Sequence, residues 1–340
     1  MTNAEFEALL RDAPDNLAII DALVKMRSVL SQHERIAVSY SSGSDSDVML
    51  DMIELIKPEN CGEVRYVFFD TGLEWDATHR HVAEIEQRYD ITIDKRRAKK
   101  PIPVACKEYG VPFISKDMSK NIATLQKNNF DFSIASEAAT SQKYSNCADT
   151  VDWYFDRRAL SSTGRMRPTI AERKLLHEYM TENPPHFKIS ERCCNHAKKK
   201  PAQDYRTEFP HDLSVTGMRQ SERGVRSTAY KSCFSPPSAK KKYAEYRPLW
   251  WMSDADKQVY KDWRGLRYSD CYEVWGFKRT GCVGCPCSSR ATQDLETART
   301  YEPKKVQAAY AVFGESYKYR EAYNRYKKHG NQMTWEDLEL

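Results

Sequence analysis

The hydrophobic pattern along the first hundred residues predicts alternating strands and helices. Residues 36–38 form a short apolar run typical of a buried parallel strand, and apolar residues with helical spacing follow from residue 47. Further elements are predicted as a strand at 64–69, a helix at about 76–89 and a short strand at 91–93. This β-α-β-α-β order predicts a doubly wound, mainly parallel sheet with helices on both faces and ligands at the carboxyl ends of its strands.

The remaining pattern is mostly helical. Residues 4–31 predict one or two amphipathic helices, 101–182 read mostly as helices, and 292–327 are helical again, while 212–217 predict another central strand. We therefore expect three parts. They are an N-terminal helical segment, an α/β domain with a helical insertion, and a cysteine- and aromatic-rich, helical C-terminal region. Their expected bounds are 1–34, 35–235 with the insertion at about 115–190, and 236–340.

Composition narrows the class of protein. The chain has 340 residues, enough for one large α/β domain with an appendage. Its start lacks the features of a signal peptide and no apolar run is long enough to cross a bilayer, so the sequence predicts a cytoplasmic protein without a membrane partner. Ten cysteines in that compartment indicate metal or redox chemistry. Several short lysine and arginine runs suit a polyanionic ligand, either a nucleotide or a nucleic acid.

The segment between the first strand and its helix has the composition of a phosphate-binding loop. Residues 41–46 read Ser-Ser-Gly-Ser-Asp-Ser. Backbone N–H groups at a helix start lack partners and carry the positive end of the helix dipole, and small side chains let an anion approach. Simple capping of the helix by Ser44, Asp45 or Ser46 is the alternative. The order Ser-x-Gly-x-Asp-Ser directly after a strand is rarer than a cap and favours the anion site.

These residues carry a family resemblance. Ser41, Gly43, Asp45 and Ser46 resemble the pyrophosphate-binding loop (PP-loop) of the adenine-nucleotide α-hydrolase superfamily, usually Ser-Gly-Gly-x-Asp-Ser. That superfamily includes ATP pyrophosphatases, thiolation enzymes and sulfonucleotide reductases. The resemblance implies that the loop cradles the phosphate or phosphosulfate of an adenine nucleotide. The chain differs at Ser42, where the family has glycine, and its Cβ is expected to narrow the loop.

A second ligand loop is expected at the end of the second strand. Asp70, Thr71 and Gly72 resemble the family's loop in which Thr-Gly lies beside the adenosine. A glycine after a strand is commonly only a turn, so the position one β-α unit after the phosphate loop carries the prediction. In the helix that follows, His79 and His81 are interpreted as surface histidines.

A third loop supplies arginines. Gly217 follows the predicted central strand, and Arg219, Arg223 and Arg226 are spaced by four and three residues, so a helical turn would place them on one face. Guanidinium groups bind phosphate and sulfate oxygens in bidentate fashion. The family's reductases have a similar stretch lining the sulfonucleotide. The alternative is a surface ion-pair cluster with Glu222.

Four cysteines have the pattern of a metal site. Cys282 and Cys285 form a Cys-x-x-Cys pair, in which two thiolates can converge on one metal or cluster, and Cys193 and Cys194 are adjacent. The adjacent pair resembles the Cys-Cys-x-x-Arg-Lys-x-x-Pro signature of adenylyl-sulfate reductases, with Ala197 where arginine is expected. The resemblance implies that these four cysteines hold a 4Fe–4S cluster. A structural zinc site is the alternative.

The other cysteines receive separate interpretations. Cys233 lies just after the arginine loop and is either an alternative fourth ligand or a sulfur carrier beside the nucleotide. Cys287 is a spare thiol near the Cys-x-x-Cys pair, and Cys61, Cys106 and Cys147 are interpreted as ordinary buried cysteines.

The resemblance implies an iron–sulfur enzyme of the phosphoadenylyl-sulfate (PAPS) reductase-like family. It would bind ATP, with Mg²⁺ bridging the phosphates, or a sulfonucleotide such as adenylyl sulfate or PAPS, and carry out sulfur transfer or nucleotide-dependent modification. Asp45, Arg219 and Cys233 are the predicted catalytic residues, with Arg219 and Arg226 neutralising anionic oxygens. The family's reductases end in a tail with a reactive cysteine, whereas the last cysteine here is Cys287, which favours relatives that move sulfur elsewhere.

Several partners and alternatives follow from this interpretation. A sulfur donor protein, such as a cysteine desulfurase or a thioredoxin-like protein, a DNA or tRNA substrate and a homodimer are expected. One alternative is a sulfonucleotide reductase that uses an external thiol donor. The other is a nucleotide-sensing, nucleic-acid-binding component of a defence or modification system.

Overall fold

The computed structural model describes residues 1–157, 169–170, 173–222, 230–239 and 241–329. Contacts divide the chain into two compact units, of which unit 1 comprises Met1–Ala98 and Lys198–Gly281 and unit 2 comprises Lys99–Ala197 and Cys282–Leu340. The bounds expected from the sequence, after residues 34 and 235, do not coincide with these divisions and stay a prediction.

Unit 1 is built on one six-stranded sheet. Its strands are β1 (Arg35–Tyr40), β2 (Glu63–Asp70), β3 (Ile93–Arg97), β4 (Leu213–Thr216), β5 (Phe234–Ser235) and β6 (Ala244–Tyr246). They lie in the order β3-β2-β1-β4-β6-β5, and every neighbouring pair is parallel except the antiparallel pair of β5 and β6 at one edge. The predicted fold class, a mainly parallel, doubly wound α/β sheet with a helical C-terminal region, is confirmed.

The helices occupy most of the remaining chain. In chain order they are α1 (Asn3–Asp12), α2 (Leu17–Leu30), α3 (Ser44–Ile56), α4 (Asp76–Tyr89), α5 (Ile102–Tyr109), α6 (Lys116–Lys127), α7 (Ala148–Tyr154), α8 (Lys174–Glu182), α9 (Arg192–Cys194), α10 (Lys200–Glu208), α11 (Asp254–Arg264), α12 (Asp270–Glu273), α13 (Ala291–Tyr301) and α14 (Pro303–His329). A π-helical segment, Asn195–Lys199, joins α9 to α10. None of the helices in the described part of the chain combines the length and apolarity that a bilayer crossing requires.

The core of unit 1 fixes the start of α3. Ile36 of β1 pairs with Val64 of β2 on one side and with Leu213 of β4 on the other, so β1 lies in the middle of the sheet. Helix α3 buries apolar side chains around most of its circumference, including Met49, Leu50 and Ile53. Burial of each such side chain contributes roughly 1.5–3 kcal/mol. The loop between β1 and α3 is therefore held at both ends by well-packed elements.

The third strand differs from its prediction. The apolar residues at 91–93 predict a strand there, but β3 runs from Ile93 to Arg97. Ile93 pairs with Tyr66, and the polar residues that follow pair with the end of β2. A strand at the edge of a sheet has one neighbour only, so polar and charged residues are tolerated there and the hydrophobic pattern locates it poorly.

Unit 2 has a helical architecture and an aromatic core of its own. Phe130 lies at its centre, with ring centroids 5.3 Å from Phe132, 5.0 Å from Tyr144 and 5.3 Å from Tyr154. Helices α6, α7 and α8 bury their apolar faces against this cluster. The segment between α6 and α7 contains only short 3₁₀ turns, at Ser136–Ala138 and Ser145–Cys147, among its described elements, so the predicted helical stretch is interrupted.

Candidate functional site

The loop between β1 and α3 is folded around the hydroxyl of Ser46. Ser46 Oγ accepts a hydrogen bond from the backbone N–H of Gly43 at 3.0 Å, donates one to the Gly43 carbonyl at 2.7 Å and lies 3.1 Å from Ser41 Oγ. Gly43 is the N-cap residue of α3. The three predicted loop residues thus form one connected turn at the positive end of a 13-residue helix.

Ser42 adopts the conformation for which the family's loop has glycine. Its φ is +56°, in the left-handed region that a side chain rarely adopts. Its side chain is fully buried, and its hydroxyl donates to the carbonyl of Thr78 in α4 at 3.3 Å. The Ser42 side chain is therefore held against α4, and the expected narrowing of the loop by its Cβ stays a prediction.

Asp45 lies between two cations. Its Oδ1 is 2.7 Å from Lys257 Nζ and 2.9 Å from Arg219 Nε. Lys257 also donates to Ser44 Oγ at 2.9 Å. Lys257 belongs to α11 and is 212 residues away from Asp45 along the chain, so the sequence offered no local signal for it. The packing of α11 beside α3 brings this lysine to the loop.

Arg219 is held as a buried, permanent cation. Only 6% of the residue is exposed, and one of its terminal nitrogens donates to Asp254 at 2.7 Å. Burial lowers its pKa, but the carboxylates of Asp45 and Asp254 outweigh burial and leave the pKa above the usual value. The hydrogen bond from Arg219 in turn lowers the pKa of Asp254. This arrangement supplies a fixed positive charge beside the loop.

Gly217 allows the arginine loop after β4 to approach the backbone of the phosphate loop closely. A Cβ on Gly217 would lie 3.1 Å from the carbonyl oxygen of Asp45 and 3.3 Å from the backbone nitrogen of Ser46. A residue with a side chain would therefore push β4 away from the start of α3. Of the arginines predicted to line this loop, Arg219 forms an ion pair with Asp45. Arg223 and Arg226 lie outside the described residues.

The second predicted loop forms a tight turn at the end of β2. Thr71 Oγ1 donates to Glu74 Oε1 at 2.7 Å, and the N–H of Gly72 donates to Asp70 Oδ1 at 2.7 Å. Gly72 has a φ of +80°, which glycine adopts without strain. Because β1 and β2 are parallel neighbours, this turn lies at the same edge of the sheet as the phosphate loop.

His81 is buried, contrary to the surface role expected for it. Its Nε2 lies 3.1 Å from Asp47 Oδ2 and its Nδ1 lies 3.1 Å from Glu84 Oε2. Asp47, in the first turn of α3, also accepts a hydrogen bond from Tyr40 at 2.6 Å. Burial lowers the pKa of His81. The hydrogen bonds and charges of the two carboxylates raise the pKa by a larger amount, so the net pKa is above its usual value. His79 is exposed, as expected.

Seven of the ten cysteines belong to unit 2. They are Cys106, Cys147, Cys193, Cys194, Cys282, Cys285 and Cys287. All ten lie in the described residues and none forms a disulfide.

Electrostatic interactions between thiols link the two predicted halves of the metal site. The pKa of Cys193 is raised, first by its hydrogen bond with Cys106 and then by burial, against a lowering by Cys194. The pKa of Cys287 is raised by its hydrogen bond with Cys285 and by burial, and the pair Cys193–Cys194 adds to the rise. Cys106 is buried as expected, but it also contacts Cys193, which the sequence analysis missed.

Cys233 belongs to unit 1. It packs against the core of that unit, and its carbonyl accepts a hydrogen bond from the N–H of Arg247 at 2.7 Å. Its two expected roles, as an alternative metal ligand or as a sulfur carrier, stay predictions.

The thiols of unit 2 have the donor chemistry of a metal site, which is either a cluster or a single ion. Within the described ranges, no three His, Cys, Asp or Glu side chains are placed to hold a single metal ion. A 4Fe–4S cluster is held by four cysteine thiolates that surround several irons, so its ligands need not converge on one point. Seven thiols in one unit, with electrostatic interactions between the pair Cys193–Cys194 and Cys285 and Cys287, supply the donor chemistry of such a cluster.

Residues 35–130 match the model of the family described as phosphoadenosine phosphosulfate reductase domain. The family resemblance predicted from the sequence is confirmed. The matched segment contains the phosphate loop and the turn at Asp70–Gly72, whereas the arginine loop and the four predicted metal ligands lie beyond it. A comparison with curated proteins found no match.

Comparison with solved structures found similar chains, and three of them have TM-scores below 0.5. A phosphoadenylyl-sulfate (PAPS) reductase from Candida auris, in a phosphate complex, is 14% identical, with 83% of this chain and 96% of that chain covered and a TM-score of 0.43. The U34-tRNA thiolase NcsA from Methanococcus maripaludis, with its [4Fe-4S] cluster, is 14% identical, with 94% and 81% covered and a TM-score of 0.36. An FMN adenylyltransferase from Candida glabrata is 12% identical, with 82% and 67% covered and a TM-score of 0.40.

Proposed function

We propose that this protein is an iron–sulfur enzyme that binds an adenine nucleotide in the loop of residues 41–46 and uses it in sulfur transfer. The observation that carries the proposal is the convergence of Arg219 and Lys257 on Asp45 at the start of α3. Two cations, one of them a buried guanidinium, beside a helix N-terminus form an environment for phosphate or phosphosulfate oxygens.

The same groups suit cleavage between the α and β phosphates of ATP. An acceptor oxygen attacks the α-phosphorus, the bond to the bridging oxygen breaks, and pyrophosphate leaves with the electron pair. Negative charge grows on the leaving group, where Arg219, Lys257 and the backbone N–H groups of α3 stabilise it. With ATP, the carboxylate of Asp45 is an oxygen ligand of the kind that Mg²⁺ prefers.

The cysteines of unit 2 would hold the cluster. Cys193, Cys194, Cys282 and Cys285 are the proposed ligands, and the cluster would supply a binding site for the sulfur species. Cys106 and Cys287, which interact with two of these ligands, are the candidates to replace a ligand.

Cys233 is the proposed sulfur carrier. Its role requires the thiol to be exposed to reactants, and its side chain is partly accessible. A Cys233→Ser variant should keep its cluster content and lose sulfur transfer. Unchanged turnover with unchanged iron would show that the carrier role is wrong.

A second candidate function is sulfonucleotide reduction with an external thiol. The family match over residues 35–130 favours it, because that family is described as a phosphosulfate reductase domain. Release of sulfite from adenylyl sulfate or PAPS in the presence of a thioredoxin-like reductant would support this function over ATP-dependent sulfur transfer.

The proposal is tested by calorimetric titration of the anaerobic protein with ATP, adenylyl sulfate, PAPS and adenosine. We expect at least one anionic nucleotide to bind more tightly than adenosine, because the loop offers charge complementarity to phosphate oxygens. Equal, weak binding of all four ligands would overturn the nucleotide-binding role. Detection of pyrophosphate or sulfite then distinguishes the two reactions.

A further inference from the structure

A basic pocket lies in unit 2, away from the residues assigned so far. It has a volume of about 390 Å³, the size of a small-ligand site, and cationic side chains dominate its polar lining. These are Lys120, Lys127, Lys188 and Arg192, with Tyr109 beside them.

Three segments place these cations around one space. Lys120 and Lys127 are seven residues apart on α6, so two helical turns bring them to the same face. Lys188 precedes Ile189, which forms a bridge with Val111 and donates its N–H to Gln126 of α6, so this segment lies beside α6. Arg192 follows as the first residue of α9.

None of the four cations forms an ion pair with a carboxylate in the described part of the chain. In the same unit, by contrast, Lys100 lies 2.6 Å from Glu108. Glu191 also lines the pocket, without an ion pair to these cations. Cations that are not neutralised around a concave surface raise the local positive potential and attract anions.

Arg192 is preorganised for an anion. Its guanidinium carbon lies 4.2 Å from the ring centroid of Tyr109. The Tyr109 ring is in turn stacked on His196, with centroids 4.6 Å apart and an angle of 7° between the planes. A guanidinium held by stacking loses little conformational freedom when it binds two oxygens of one phosphate.

The neutral polar groups of the pocket are already engaged. Gln126 donates to the carbonyl of Phe187 at 2.8 Å and accepts from the N–H of Ile189 at 2.9 Å. Ser190 Oγ accepts from the N–H of Arg192 at 3.1 Å. The pocket therefore offers charge more than a specific pattern of donors and acceptors, which suits the repeated phosphates of a nucleic-acid backbone.

We propose that this pocket binds phosphate groups, and specifically the phosphodiester backbone of a nucleic acid. The inference goes beyond the proposed function and does not depend on the nucleotide loop of unit 1. If both hold, the nucleic acid is the candidate acceptor of sulfur.

The test is fluorescence anisotropy of a labelled 20-nucleotide single-stranded DNA, and of the RNA of the same sequence, at several salt concentrations. The variant is K127Q/K188Q, and the matched control is K143Q/K174Q, which removes the same charge from exposed lysines of unit 2 outside the pocket. We expect K127Q/K188Q to bind about tenfold or more weakly at low salt. Its slope of log affinity against log salt should fall by about two, one for each cation. The control should match the wild type.

A second arm distinguishes the source of the phosphate. If oligonucleotide affinity is the same in both double variants but ATP affinity falls only in K127Q/K188Q, the site binds the phosphates of a free nucleotide. Equal binding of both ligands by the two variants would overturn the proposal, provided that circular dichroism shows both to be folded. Loss of oligonucleotide binding in K127Q/K188Q, in a protein that binds no free nucleotide, would support the pocket while contradicting the proposed function.

Discussion

The phosphate loop of unit 1 and the interacting thiols of unit 2 differ in how their reactive groups are held. These thiols, called the cysteine group, are Cys106, Cys193, Cys194, Cys282, Cys285 and Cys287. In the loop, the carboxylate of Asp45 is paired with Arg219 and Lys257 before any ligand binds. In the cysteine group, by contrast, neighbouring thiols raise the pKa of Cys193 and of Cys287.

Under the proposed function, the two regions differ in how far their arrangement depends on a cofactor. A loop whose charges are balanced by its own protein partners is preorganised and can bind an anion by rearranging a few contacts. Thiols with raised pKa values are neutral near pH 7 and must lose protons to bind a metal, so under the proposed function the cluster would determine the final arrangement of the cysteine group. We therefore expect the two regions to respond separately to mutation.

The largest expected effect is on iron content. Cys193→Ser or Cys285→Ser should reduce iron from about four atoms per chain to nearly none, because a 4Fe–4S cluster requires four thiolates. Nucleotide affinity should stay within about twofold of the wild type. Cys61→Ser, in unit 1, is the control and should keep its iron. Retention of iron by both unit 2 variants would show that Cys193 and Cys285 are not ligands of a cluster. Iron is measured by elemental analysis of anaerobically purified protein.

The next largest effect is a loss of stability when the buried pair of His81 and Asp47, in the first turn of α3, is broken. His81→Gln leaves the buried carboxylate of Asp47 without its cationic partner, which should lower the free energy of unfolding by about 3 kcal/mol. His79→Gln, on the exposed side of the same helix, is the matched control and should change it by less than about 0.5 kcal/mol. Urea unfolding at pH 6 measures both. Equal stability of the two variants would show that the buried pair does not stabilise unit 1.

The same histidine predicts a pH dependence. Because folding raises the pKa of His81 above its usual value, the folded state binds this proton more tightly than the unfolded chain. Its contribution to stability is full below about pH 6.5 and is lost as the pH rises through the folded pKa. The wild type should therefore lose stability relative to His81→Gln over that interval. A constant difference between the two proteins from pH 6 to 9 would contradict the raised pKa.

A smaller effect is expected for the lysine that the sequence did not reveal. Lys257→Met should weaken binding of the anionic nucleotide by about tenfold, with little change for adenosine, because one charge-assisted hydrogen bond is worth roughly 1.5 kcal/mol. Lys261→Met is the matched control, since Lys261 lies one turn further along α11 and pairs with Glu273 at 2.7 Å. Identical nucleotide affinities of the two variants would remove Lys257 from the site.

The smallest effect is expected at Ser42. Glycine there relieves a left-handed backbone conformation, worth roughly 1 kcal/mol, but loses the hydrogen bond to Thr78, so the net change in stability should be below about 1 kcal/mol. Nucleotide affinity should not change, because the Ser42 side chain is buried against α4. A tenfold change in affinity for Ser42→Gly would show instead that this side chain shapes the anion site.

Local patterns predicted the fold and the first loop well. The apolar run before residue 41 and the helical spacing after residue 46 place β1 and α3, and the loop between them is a local feature. Contacts from distant segments could not be predicted. Lys257, His81 and Cys106 gain their roles from partners that tertiary packing brings to them. The hydrophobic pattern also misplaced β3, whose residues after Ile93 are polar.

The proposed function requires an iron–sulfur cluster in unit 2 of a protein whose unit 1 binds a nucleotide. The most direct test is an anaerobic ultraviolet–visible spectrum with iron, sulfide and zinc analysis of the same sample. We expect a broad absorption band at ~400 nm with about four irons and four sulfides per chain. A colourless protein with about one zinc and no iron would contradict it and would make the cysteines a structural zinc site.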